Sequence, residues 1–205
     1  MEFSSYLIYL SISILASVSV GPSVVLAASN GINFGRRKAL SGVLGHVSAI
    51  FILATISASG IGGVILASQT TFTVIKYIGV LYLVYIGIAI WRNKGAWAIV
   101  IDNENIPSGI NLYRKSLLLG LSNPKALVFF TALFPQFINP QAPSLTQFLI
   151  LTGTSLANAF IFTFAYALAG YNFKSKLLPL LNNGWLGRIT ASLFFGFAAM
   201  LSAAK

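Results

Sequence analysis

The chain has 205 residues, 57% of them hydrophobic and only 8% charged, with a mean hydropathy of +0.84. Soluble domains carry roughly 25% charged residues, so a water-facing surface is excluded, and the apolar runs have the ~20-residue length that spans a bilayer. Cysteine is absent, which removes disulfides, thiolate metal sites and cysteine nucleophiles. The 13 Lys and Arg against 3 Asp and Glu would suggest nucleic acid in a soluble protein. Here the bases sit in short connections between apolar runs, where they orient a membrane protein. The expected partner is the lipid bilayer, and no nucleic acid is expected.

Six transmembrane helices are predicted, near 4–28, 39–67, 70–91, 115–137, 145–170 and 185–203. The first follows Met1-Glu2-Phe3 with no basic residue ahead of it, which argues against a cleaved leader. Arg36, Arg37 and Lys38 fill the first connection, whereas Ser68-Gln69-Thr70 in the second is uncharged. The third carries Arg92, Lys94, Arg114 and Lys115 together with Asp102 and Glu104. The fourth, with Pro140 and Pro143, is uncharged, and the fifth holds Lys174 and Lys176, with Arg188 just inside the last span.

Basic and uncharged connections therefore alternate. Short basic loops stay in the cytoplasm, which puts both termini outside, with the lone Lys205 as the weak counter-signal. The predicted fold is an all-α polytopic membrane helix bundle in the inner (plasma) membrane, a single transmembrane domain over 1–205. Its first half covers about 1–91, a cytoplasmic loop about 92–114, and the second half about 115–205. Three helices per half suit a 3+3 inverted repeat, with Pro22, Gly42 and His46 spaced much as Pro135, Gly153 and Asn158.

Two prolines interrupt predicted spans, at Gly21-Pro22 and at Asn123-Pro124-Lys125. Proline lacks an N–H and clashes with the carbonyl four residues back, so Pro22 should free Val18 and Pro124 should free Gly120. A freed carbonyl in hydrocarbon needs protein or a water-filled cavity to satisfy it. Each break is either a packing kink or part of a substrate site. One proline alone reads as a kink, and polar company at both breaks sets a site on a par with it: Ser17, Ser19 and Ser23 surround one break, and Asn123 and Lys125 flank the other. The four-residue spacing of Ser13, Ser17 and Gly21 is explained by close helix packing.

No Asp or Glu falls inside a predicted span. This removes the carboxylates that commonly carry protons or Na⁺ through membranes, along with carboxylate metal clusters, and no cofactor is expected. His46 is the one span residue that titrates near neutral pH; it carries a proton or simply hydrogen-bonds a neighbouring helix. Lys76 can snorkel to the interface. Lys125 lies roughly 10 Å deep by these boundaries, and either snorkels or meets an anionic ligand. Asn158, near Thr154 and Ser155, is the remaining polar cluster.

Several segments together resemble LysE/RhtB-type amino-acid exporters: Gly21-Pro22, Asn30-Gly31, Gly35-Arg36-Arg37-Lys38-Ala39, and Lys76-Tyr77-Ile78-Gly79 with Tyr82 to Gly87. Asn123-Pro124-Lys125-Ala126, Phe129-Phe130, Pro135-Gln136-Phe137-Ile138 and Gly196 extend the resemblance over nearly the whole chain, in order. Val20 replaces a proline common in the family, and His46 falls where small or apolar residues are expected.

The resemblance implies a transporter, not an enzyme, that exports amino acids or close derivatives from the cytoplasm by antiport driven by the proton gradient. With no carboxylate in a span, a neutral amino acid such as homoserine, threonine or leucine is favoured over lysine. The expected substrate site comprises Ser19, Gly21, Pro22, Ser23, His46, Asn123, Pro124, Lys125 and Asn158. The substrate carboxylate would face Lys125 or the N-terminal end of a broken half-helix, and its ammonium the freed carbonyls of Val18 or Gly120. The small-residue stripes also suit a homodimer seam. Export of another solute or ion on the same fold is the alternative. An intramembrane enzyme is disfavoured, since Ser57-Ala58-Ser59-Gly60 lacks the leading glycine of a membrane serine protease and His46 is the only histidine.

Overall fold

Proline can begin a helix, where its missing N–H is an orphan anyway, but cannot continue one undisturbed. The chain uses this twice. In the computed structural model, α1 (Phe3–Val18) ends in extended backbone at Ser19, and α2 (Pro22–Ala67) begins at Pro22. Likewise α3 (Gly109–Leu121) stops before Ser122 and Asn123, and α4 (Pro124–Val128) begins at Pro124. Residues 4–28 and 115–137 therefore each hold two helices meeting at a break, where the sequence suggests single helices with a kink.

The chain runs on from α4 through a π-helical turn, Phe129–Leu133, and a 3-10 turn, Phe134–Phe137. The bend between α3 and this continuation is 53°. Two further helices follow, α5 (Ser144–Asn172) and α6 (Gly184–Ala203). The structure describes residues 2–67, 107–139, 141–174 and 184–203, together with Tyr77, Val80, Leu81, Val84, Tyr85, Gly87, Ile88, Trp91 and Arg92, all helical. No strand occurs among the described residues. The uncharged turn at 68–70, Lys76, Tyr82, Lys94, Trp97, Asp102, Glu104, Pro140, Lys176 and Lys205 lie outside them.

The first connection is shorter than expected. Gly35 alone leaves helical geometry within α2, at φ 76° and ψ 168°, a region open essentially to glycine. There the chain reverses. A Cβ on Gly42 would lie 2.6 Å from Asn30 Nδ2, whereas a straight helix would separate these residues by roughly 18 Å. Arg36, Arg37 and Lys38 thus open the second arm of α2 instead of filling a loop. At the other end of the first half, residues 109–114 are helical and not loop: Ser108 caps α3 by accepting from the Asn111 N–H at 3.3 Å.

Among the described residues, Ser144–Asn172 and the apolar stretch Pro22–Ser59, which reverses at Gly35, pass as bilayer-crossing by length and composition, and the bent α3–α4 pair makes up to a third span. Large apolar side chains point outward, Phe3 at 75%, Leu145 at 68% and Leu118 at 65% exposure. In water such a surface would aggregate; in lipid it is the correct one. The protein is an all-α membrane helix bundle.

Backbones approach closely where glycines face one another's helices. A Cβ on Gly31 would collide with the carbonyl oxygen of Ala167, and one on Gly170 with that of Ala28. The first arm of α2 is thereby locked against α5. The largest core cluster among the described residues joins Tyr9 and Ile12 of α1, Ile50 and Leu53 of α2, Phe129, Phe130, Leu133 and Phe134, and Leu151 of α5.

Candidate functional site

The two helix breaks meet. Lys125, in the first turn of α4, donates from Nζ to the Ser19 carbonyl at 2.8 Å and contacts Ser19 Oγ at 3.2 Å. Asn123 caps α4 by accepting from the Lys125 N–H at 3.0 Å, while its Nδ2 donates to Ser23 Oγ at 2.9 Å. Gly21 completes the crossing: a Cβ there would stand 3.3 Å from Lys125 Nζ. Each break therefore satisfies polar groups of the other.

The carbonyls freed by the two prolines are occupied. Val18 accepts from the Tyr166 hydroxyl at 2.9 Å, and Gly120 from the Asn123 N–H at 3.2 Å. The sequence-based picture of these two oxygens as free acceptors for a substrate ammonium is corrected accordingly. Pro135 has a similar effect about three turns beyond Pro124. In the π-helical register the Phe134 N–H bonds Phe129, so the Phe130 carbonyl would wait for the N–H that Pro135 lacks. The Ser57 hydroxyl donates to it instead.

Beside the crossing lies a cavity of about 60 Å³, room for several water molecules. Its polar lining includes Ser13, Ser17, Ser23, His46, Asn123, Lys125, Ser155 and Thr163; Ile50, Phe129 and Phe130 form much of its apolar wall. Lys125 lies roughly 20 Å from the start of α3 along the helix axes. Glu2, at the N-terminal end of α1, is the only acid among the described residues, so Lys125 faces carbonyl and hydroxyl oxygens with no carboxylate.

Of the nine residues expected at the site, Ser23, His46, Asn123 and Lys125 line the cavity. Ser19 and Gly21 hold Lys125 from the α1–α2 break, and Pro22 and Pro124 start the helices that form the crossing. Asn158 stands one step back, donating to Ser13 Oγ at 3.0 Å. Ser13 and Ser17, explained by packing in the sequence, line the cavity as well. Tyr9 and Thr163 carry no sequence signal that marks them. Tyr9 is fully buried, donates to the Leu151 carbonyl at 3.1 Å and packs its ring on Phe129 and Phe137, at 5.9 and 5.1 Å between centroids.

This arrangement, two broken helices crossing at a polar cavity inside an apolar bundle, is a plan shared by membrane transporters. The family model for the LysE type translocator matches residues 14–204. The chain belongs to this family.

The chain is also similar to several relatives over most or all of its length. A Vibrio cholerae protein named only as an uncharacterized membrane protein is 32% identical over 210 residues, covering 100% of both chains. The homoserine/homoserine lactone efflux protein of Salmonella typhimurium is 31% identical, covering 100% of this chain and 99% of its own. The leucine efflux protein of Enterobacter sp. (strain 638) is 29% identical, over 89% and 87% respectively. No solved structure matches.

Proposed function

We propose that the chain exports a small neutral amino acid from the cytoplasm across the inner membrane, in exchange for protons. The observation that carries this reading is Lys125. It borders the cavity with only neutral oxygens as partners, and a cation in low dielectric is stabilised most by an anion. An amino acid's carboxylate entering the cavity supplies that anion. The substrate's own ammonium then needs polar oxygens, which the cavity hydroxyls offer, and a cationic side chain would find no acid among the described helices. The names of the homoserine and leucine efflux relatives point to the same class.

The topology proposed with it has six spans, both termini outside and the 92–114 region in the cytoplasm. Substrate access alternates as one three-helix half rocks against the other. A homodimer is compatible with this arrangement. The test is uptake of labelled homoserine, threonine, leucine and lysine into sealed inverted vesicles, with and without an imposed proton gradient. Gradient-dependent uptake of a neutral member supports the proposal. Lysine as the preferred substrate, or no uptake in energised vesicles, overturns it.

A further inference from the structure

Tyr6, Tyr9, Ser13 and Val18 of α1 bond in that order to Thr154, Ser155, Asn158 and Tyr166 of α5. The two helices therefore run parallel, and Phe3 and Ser144 mark one end of the bundle. Ser13, Phe130 and Ser155 line the cavity or its wall. One turn from each of them towards that end stand Tyr9, Phe134 and Leu151, all fully buried. The Tyr9 ring lies 5.9, 6.1 and 5.1 Å from the rings of Phe129, Phe134 and Phe137, between centroids. Its hydroxyl donates to the Leu151 carbonyl at 3.1 Å and pairs with Ser155 Oγ. Tyr9 belongs to the first half of the chain, and all five of these partners belong to the second.

We infer that Tyr9 and the rings around it form the gate between the cavity and the end of the bundle that carries Phe3, with the Tyr9 hydroxyl as its latch. The inference rests on the proposed export, which requires the cavity to open towards each end in turn. A solute leaving the cavity along α1 at this end meets rings packed as a protein core and has to displace them. Rocking one half against the other parts Tyr9 from every partner at once, because each lies in the opposite half. A hydrogen bond suits the latch: it fixes one closed position, yet its net strength is small enough to be broken in each cycle. The π-helical turn Phe129–Leu133 carries one of the gate rings, and such turns are frequent at functional sites.

The test uses the full chain with Ser17→Cys, a cavity-lining position, as its only cysteine. The probe is the membrane-impermeant anion sulfonatoethyl methanethiosulfonate, applied to right-side-out and to inverted vesicles. Ser4→Cys in separate vesicles fixes which side carries Phe3. Labelling of Ser17→Cys from that side is expected to be slow with Tyr9 in place. Tyr9→Phe keeps the ring and removes only the latch, and should speed it roughly 2- to 10-fold, with the rate from the other side unchanged or lower. Equal acceleration from both sides means general loosening and overturns the inference. An unchanged rate from the Phe3 side overturns it too, as does labelling as fast as that of Ser4→Cys while Tyr9 is intact. Absence of labelled homoserine, threonine or leucine uptake by wild type in sealed, energised inverted vesicles overturns the export proposal instead, whatever the labelling shows.

Discussion

Lys125 Nζ donates to the main-chain carbonyl of Ser19 at 2.8 Å, across 106 residues of sequence, and so ties the restart of one broken helix to the interruption of another. Without that bond the Ser19 carbonyl, in a residue only 5% exposed, would face the bundle interior beside a break with no helical donor. The same side chain lines the cavity, with neutral oxygens as its partners. Structure and proposed substrate recognition therefore converge on one group, and a carboxylate that draws Nζ away would loosen the crossing. This is how binding can bias the position of one half against the other.

Asn123 holds the second break from both sides, capping α4 and donating to Ser23. Asn123→Ala removes a cap worth about 1 kcal/mol and a buried bond worth about 1 kcal/mol more. The expected loss of about 2 kcal/mol is read from unfolding in mixed micelles. Asn123→Asp keeps the cap acceptor but not the donation to Ser23, and should fall between the two.

Ser57 and Pro135 should show coupled energetics. Ser57→Ala leaves the Phe130 carbonyl unpaired and should cost about 1–3 kcal/mol. Pro135→Ala restores a backbone N–H in that turn. The serine substitution should then cost measurably less in the Pro135→Ala background, and a double-mutant cycle gives the difference. Additive losses would mean that Ser57 is not compensating for the proline.

Two glycines in helical segments should respond in opposite ways to alanine. Gly31→Ala drives a methyl into the Ala167 carbonyl and should destabilise by about 1–3 kcal/mol. A methyl added to Gly153 would meet nothing within 4 Å, so Gly153→Ala should stabilise α5 by roughly 0.5–1 kcal/mol. Thermal unfolding of the two purified variants in one detergent compares them directly.

Because the chain has no cysteine, each introduced one is a clean topology reporter. Ser4→Cys should react with an impermeant maleimide added to intact cells once the outer barrier is opened. Ile110→Cys, at the start of α3 and 54% exposed, should react only after lysis or in inverted vesicles. The reverse pattern would invert the proposed orientation.

Much of the fold is legible in composition, because a bilayer demands long apolar helices and gathers the charges into connections. The α5 boundaries, 144–172, lie within two residues of those predicted. The breaks at Pro22 and Pro124 are visible as prolines, but their form is not. Whether a proline kinks a helix or starts a new one depends on what satisfies the residues before it, here Tyr166 and Lys125 from distant parts of the chain. The reversal near Gly35 is visible as the basic connection Arg36-Arg37-Lys38, but its tightness is not, because a single residue with positive φ turns the chain without a loop. Ser23, His46, Asn123 and Lys125 can be picked out as polar residues in apolar spans. Thr163 cannot, since one threonine in a long helix is ordinary until its face is known.

The most direct test of the central claim compares Lys125→Met with wild type in sealed inverted vesicles under an imposed proton gradient. The substrates are labelled homoserine and its lactone, which has no free carboxylate. A hydrogen bond to a charged group is worth about 1.5–3 kcal/mol, so kcat/KM for homoserine should fall roughly 10- to 100-fold at equal amounts of folded protein, with a smaller loss for the lactone. Homoserine transport by Lys125→Met at the wild-type rate, or equal losses for both compounds, would contradict a substrate carboxylate held by Lys125.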